Sequence, residues 1–295
     1  MGESVKGIME NAVDLHIHAF PDVSPRIQDM FEIAENAKEY GMKALVFKDH
    51  HTTTADRCYL VNKIIPEVKC VGTIALNYSV GGLNPFAVEA AAKLGAKLVL
   101  MPSIDAAWTI HQVHIQGKAK WLEPFVRIKD PKKGLSVLEG GLEGRKIIPE
   151  VEEILSIVNQ YNLVLDILHV SPKEREILVK EAREHGIEKI VLTHPNCSIG
   201  YANVEEQKEL ASKGVCMVYA YLPCLVEGQK VEDVAKMIRT VGAEKSMLCT
   251  DLGQTVNPPP VEGYKMFVSD LLKCGISERW LKMIAQENPA ELLGI

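Results

Sequence analysis

The sequence predicts an eight-stranded parallel sheet wrapped by helices and closed into a (β/α)8 TIM barrel. Three observations point to it. Short β-branched runs alternate with helical periods over the whole chain, the pattern of strands joined by helical crossovers. Glycines recur where those helical periods stop (Gly41, Gly95, Gly186, Gly214 and Gly242), the positions at which a left-handed residue ends a helix. No G-x-G-x-x-G follows the first strand, so an open dinucleotide-binding sheet lacks its main support. At 295 residues and 47% apolar, the chain can form a single barrel domain over 1–295.

The strand candidates, in order, are Val13–His18, Ala44–Lys48, Cys70–Leu76, Lys97–Met101, Leu163–His169, Lys189–Thr193, Val215–Tyr219 and Met247–Asp251. Helical periods fall at Met30–Tyr40, Pro85–Leu94, Val151–Asn159, Lys173–His185, Glu205–Ser212, Val231–Val241 and Tyr264–Lys273. The connection after strand four is abnormal, running from 106 to 149 where two to six residues are usual. Within it, GLSVLEGGLEGRKI suggests a short hairpin around a glycine-rich turn. Because it follows a strand, the insertion projects from the face where barrel enzymes place their sites. It is expected to serve as a lid or an oligomer contact, or else as a mini-domain packing its own aromatics. Trp108, His111, His114, Trp121 and Arg127 are its candidates for reaching a ligand.

The chemistry begins in AVDLHIHAF. His16 and His18 lie two apart on a strand, so they share a face and sit about 6.6 Å apart along it, close enough to converge on one ion. Two histidines on a half-buried strand are equally compatible with ordinary hydrogen bonding. The remaining histidines decide between these readings. His50 and His51 follow strand two, His169 ends strand five and His194 ends strand six, so six of nine occupy the barrel's C-terminal zone. Asp251 ends strand eight, where a carboxylate suits both metal binding and proton transfer. Asp14 shares the parity of the pair but sits deeper, in a supporting position. Lys48 ends strand two and suits an anionic ligand group or developing negative charge.

This constellation resembles the amidohydrolase superfamily of metal-dependent hydrolases: H-x-H on strand one, a histidine after strands five and six, and an aspartate after strand eight. The tail QENPAELLGI is similar to that family's ending, with Asn288 expected as an N-cap and Pro289 as the first helical residue. KDHHTTTADR, LMPSIDA and CTDLGQ resemble a small single-domain branch of it. The resemblance implies metal ligands at His16, His18, His169, His194 and Asp251, and catalytic roles for Asp251, His194 and Lys48. Substrate contacts are expected from Lys48, His50, His51, Asp105 and Trp108.

Strand four departs from the pattern. It ends Met101-Pro102-Ser103-Ile104-Asp105, without the Glu or carboxylated Lys that bridges two metals in many members. One divalent ion, zinc first, is therefore expected. Mn, Fe and Ni suit the same donors, and a second ion through Asp105 or a Lys48 carbamate is left open. The implied reaction is hydrolysis of an amide, cyclic amide, ester or lactone in a small, anionic metabolite. Phosphoester hydrolysis, decarboxylation, or metal and ligand binding without catalysis are the alternatives.

Composition narrows the partners. A formal net charge of −6 argues against nucleic acid or an anionic membrane surface, leaving a small molecule and an open question of homo-oligomerisation. Seven cysteines occur singly, with no C-x-x-C, as expected of reduced thiols in a cytoplasmic protein. The first ten residues carry Glu3, Lys6 and Glu10 and no apolar core, unlike a signal peptide.

Overall fold

The computed structural model describes residues 2–295. Its strands run in sequence order, each parallel to the next: β1 (Val13–Ile17), β2 (Ala44–Phe47), β3 (Lys69–Ala75), β4 (Leu98–Leu100), β5 (Val164–Asp166), β6 (Ile190–Thr193), β7 (Cys216–Ala220) and β8 (Ser246–Cys249). Just past β8 the chain meets β1. Asp251 N–H donates to His16 O at 2.8 Å, and His18 N–H donates to Leu252 O at 2.8 Å. These bonds complete a (β/α)8 barrel.

Local chemistry explains the crossovers. Asp29 caps the helix Met30–Glu39 in a reciprocal box with Glu32, and Ser171 does the same with Glu174 ahead of Pro172–Glu184. Asn84 caps Pro85–Lys93, whose proline occupies the first turn, where no amide donor is needed. Gly186, at φ 80°, takes the left-handed turn that sends the chain into β6. Two apolar layers result. One contains buried side chains from all eight strands, among them Val13, Val46, Val71, Leu100, Val164, Val191, Val218 and Met247, and fills the barrel. The other, including Ile33, Phe47, Val99, Leu178, Tyr219 and Phe267, lies between strands and helices.

Several strands stop one to three residues short of their expected ends, at Ile17, Phe47, Asp166 and Cys249. The backbone turns to positive φ at His169 (59°) and Asp251 (56°), which takes these residues out of the ladder and into the barrel mouth. β1 also slips register: Asp14 pairs with Leu45, yet Ile17 pairs with Phe47.

A helix at Ala55–Ile64 was absent from the expected set because Tyr59, Leu60 and Ile64 are exposed apolar residues that blur its amphipathic stripe. The expected hairpin after strand four reduces to a single bridge between Leu138 and Ile147 across a turn at Gly141–Glu143. Asn288 is not an N-cap: it lies inside continuous helical backbone, and its Nδ2 donates to Ala243 O and Ser246 O at 2.7 and 2.9 Å. The tail is thereby tied to the start of β8.

Candidate metal centre and its cavity

β1 delivers His16 and His18, and the chain leaving β8 delivers Asp251. Their donor atoms lie within 4.8 Å of one another. His16 Nε2 and His18 Nε2 both face Asp251 Oδ1, at 3.5 and 3.2 Å. His194 stands beside His16 with ring centroids 6.2 Å apart, and His169 meets His194 edge-on at 4.7 Å. All five line one cavity.

The donor set fits a divalent cation. Burial holds the His16, His18 and His169 imidazoles well below the usual histidine range and pulls His194 down to about 3, so the rings are neutral, the form that ligates a cation. Burial pushes the Asp251 carboxyl up to about 7, against the pull of Lys48 and Arg26. His169 Nδ1 hydrogen-bonds Thr109 Oγ1 at 2.8 Å, leaving Nε2 as its free donor. His18 differs. Arg26 Nη2, which can only donate, approaches His18 Nδ1 at 3.2 Å, so the neutral ring carries its proton on Nε2, toward Asp251. For Nε2 to hold a cation, the proton would have to move to Nδ1 and Arg26 would have to give up that contact.

Two matching clamps hold the mouth in place. Thr250 donates to Asp14 through Oγ1 (2.6 Å) and N (3.0 Å), and the next residue is Asp251. Thr193 donates to Asp166 through Oγ1 (2.6 Å) and N (3.2 Å), and the next residue is His194. His169, His194 and Asp251 are three of only six non-glycine residues with positive φ among the described residues. Such backbone persists where surrounding contacts hold it, and it concentrates at functional sites. Gly253 completes the arrangement at φ 138°. A Cβ there would stand 2.1 Å from His18 O, so no other residue lets the β8 loop lie this close to β1.

The other expected site residues divide. Lys48 and His50 line the cavity. Lys48 is 3% exposed, and burial pulls its ammonium down to about 8, against the opposing pull of Asp251. Lys48 Nζ donates to His50, whose Nδ1 lies 2.9 Å from Ser103 Oγ; Ser103 in turn receives Asn77 Nδ2 at 2.9 Å. His51 turns away, toward Asp22 and Asp49 at 3.9 and 3.7 Å. Those two carboxylates are already paired with Arg26 (2.7 Å) and Arg57 (2.9 Å). Asp105 accepts from Tyr78 N at 2.9 Å and does not line the cavity. Trp108 donates to Ile199 O, stacks on His111 and borders a separate surface groove. From the insertion, Trp121 reaches the cavity together with Leu122 and Phe125, whereas His111, His114 and Arg127 do not.

Arg26 lines the cavity and was not anticipated, because nothing in PDVSPRIQD marks one basic loop residue as buried. The Asp166–Thr193 clamp was also missed. Its signal was present, since Thr-His and Thr-Asp end strands six and eight while an aspartate precedes the histidines of strands one and five.

A protein-family profile described as "Family of unknown function (DUF6282)" matches residues 11–218. The chain belongs to this family. Comparison with curated proteins found no match. Solved structures share its fold at low identity. An amidohydrolase from Pseudomonas aeruginosa has a TM-score of 0.63 at 15% identity, covering 99% of this chain and 98% of that one. A probable 2-pyrone-4,6-dicarboxylic acid hydrolase from Acinetobacter baumannii has a TM-score of 0.59 at 13% identity, covering 97% and 100%. A PTE-like lactonase from Deinococcus radiodurans has a TM-score of 0.56 at 13% identity, covering 96% and 95%. The barrel of this family member thus shares the fold of these three proteins. Among the described residues, no helix is long and apolar enough to cross a membrane.

Proposed function

We propose that this protein is a metal-dependent hydrolase that cleaves an amide, cyclic amide, ester or lactone bond of a small anionic molecule. The convergence of His16, His18, His169, His194 and Asp251 from four strands on one cavity carries the reading. The fold shared with proteins named amidohydrolase, lactonase and pyrone-dicarboxylate hydrolase supports it.

Those five residues would hold one divalent ion, zinc first among the candidates. When bound, the ion supplies Lewis acidity, which acidifies water and polarises a carbonyl. The chain's own residues do the rest. Asp251, with Oδ1 toward the two β1 imidazoles, takes the proton lost as water attacks and returns it to the leaving group. Lys48, held at the cavity wall by His50, orients the substrate and faces charge developing on it. Trp121, Leu122 and Phe125 of the insertion form a wall that keeps bulk water out, the part of a lid.

Elemental analysis of the purified protein, with assays on amides, lactones and phosphate esters, tests the reading. Stoichiometric divalent metal and turnover of amides or lactones are expected, both lost when His16 and His18 are changed to Ala. Preferential turnover of phosphate esters would assign the site to phosphorus chemistry. Activity surviving the double substitution would end the proposal.

A further inference from the structure

We infer that the cavity binds a compact amphipathic oxyanion, its charged group held between Arg26 and Lys48 and its apolar part against the wall from the insertion. The inference deepens the proposed function by naming the substrate class, and it rests on that reading only for the reaction performed.

Lys48 carries the first part of the argument. Its ammonium is buried, faces the cavity, and among the described residues has no carboxylate within ion-pair distance; its hydrogen bonds go to His50. Leaving a buried charge without a counter-ion is costly, so the cavity is a place where an anion is stabilising. Arg26 carries the second part. Its side chain is 6% exposed, and Asp22 Oδ2 engages both Nε and Nη2 at 2.7 Å. That contact fixes the guanidinium plane, and among the described residues Nη1 has no hydrogen-bond partner. Arg26 Nη2 approaches His18 and Lys48 Nζ approaches His50, and these two imidazoles stack at 5.1 Å, so both cations belong to one side-chain cluster on the cavity. A planar or tetrahedral oxyanion in the cavity they both line would be attracted by both.

The other wall is apolar. Trp121, Leu122, Phe125, Leu222, Val226 and Val256 line it, and the Trp121 indole N–H is already donated to Glu227 Oε1 at 3.0 Å, so its ring offers only carbon. The cavity volume is about 270 Å3, roughly nine water molecules' share of liquid. That size admits one ring or a short branched chain beside the anionic group. Charge points the same way: Arg26 is paired with Asp22 while Lys48 has no carboxylate within ion-pair distance among the described residues, so an anionic ligand lowers the positive charge of the cavity.

Calorimetric titration of the purified protein with benzoate, phenylphosphonate and benzamide tests this, with metal content measured on the same preparation. The anions are expected to bind at least about tenfold more tightly than the neutral amide. The tighter of the two identifies the headgroup as carboxylate or phosphoryl. Arg26→Gln should lose about that factor and Arg26→Lys should restore part of it. Phe125→Ala should weaken benzoate while leaving acetate unchanged. Benzamide binding as well as benzoate, in the unmodified protein, overturns the inference without reference to any variant's folding. So do Arg26 variants that bind benzoate like the parent. Anion binding through Arg26 in a protein that takes up no metal would uphold this inference while removing the proposed function.

Discussion

The seam between β1 and β8 and the seam between β5 and β6 are built alike and present different chemistry. In each, a buried aspartate on one strand receives a threonine hydroxyl at 2.6 Å and the same threonine's N–H from the neighbouring chain segment. In each, the residue after the threonine leaves the strand at positive φ and faces the cavity. The β1–β8 seam then offers a carboxylate and two imidazoles, whereas the β5–β6 seam offers imidazoles alone. One clamp can thus aim either kind of donor. What it aims decides whether that side of the mouth supplies charge and takes protons or only completes a ligand set.

The largest expected effect separates the seams by chemistry. Asp251→Asn removes the anionic donor and the proton acceptor together, and kcat/KM should fall by about three orders of magnitude with loss of bound metal. His194→Ala should cost about ten- to a hundredfold. Equal losses, read by steady-state kinetics and elemental analysis, would mean the seams share one role.

Next in size is removal of the clamps. Asp14→Ala and Asp166→Ala each strand a hydroxyl and two buried N–H groups, so each should destabilise the fold by about 3 kcal/mol in denaturant unfolding. Metal affinity should drop about ten- to a hundredfold. A variant that keeps parental affinity would show its clamp to be structural only.

Gly253→Ala tests the β1–β8 seam alone. A methyl group pressed toward His18 O, on backbone at φ 138°, should cost about 2 kcal/mol. Unchanged stability would mean that the β8 loop yields freely. The last test concerns pH and reads a slope. Burial raises the Asp166 carboxyl from 3.8 to about 7, against its hydrogen bonds from Thr193. The folded protein therefore holds this proton across a window in which the unfolded chain has lost it. This group's contribution makes stability fall as pH rises from about 4 to about 7, by less than about 1.4 kcal/mol per unit, the limit for one proton. Asp166→Asn should flatten that part of the profile in pH-dependent melting; an unaltered slope would show the carboxyl ionised throughout.

The barrel was legible because its signals are local and repeated: β-branched runs, glycine stops and capping residues. His16, His18, His169, His194 and Asp251 were legible as a set because each ends a strand, and the ends of parallel strands meet at one face. Arg26, His51 and Asp105 are loop residues, and Trp108 sits in the short helix Ala107–Ile110 of the insertion. Their direction depends on contacts made across the molecule, such as Asp22 with Arg26 or Asp105 with the Tyr78 amide, which no spacing encodes. The tail shows the same limit. Asn-Pro reads as a helix start, but tertiary bonds from Asn288 to Ala243 and Ser246 draw it into continuous helix.

The closure bonds between β1 and β8 also order events in time. Thr250 and Asp14 stand 236 positions apart, so His16 and His18 leave the ribosome long before the carboxylate that completes their trio. Most of the chain must be made, and the ring shut, before a cation can be gripped from both sides. A cation bound there would then span one of the longest loops the chain can form, acting as the clasp of a bracelet already fastened.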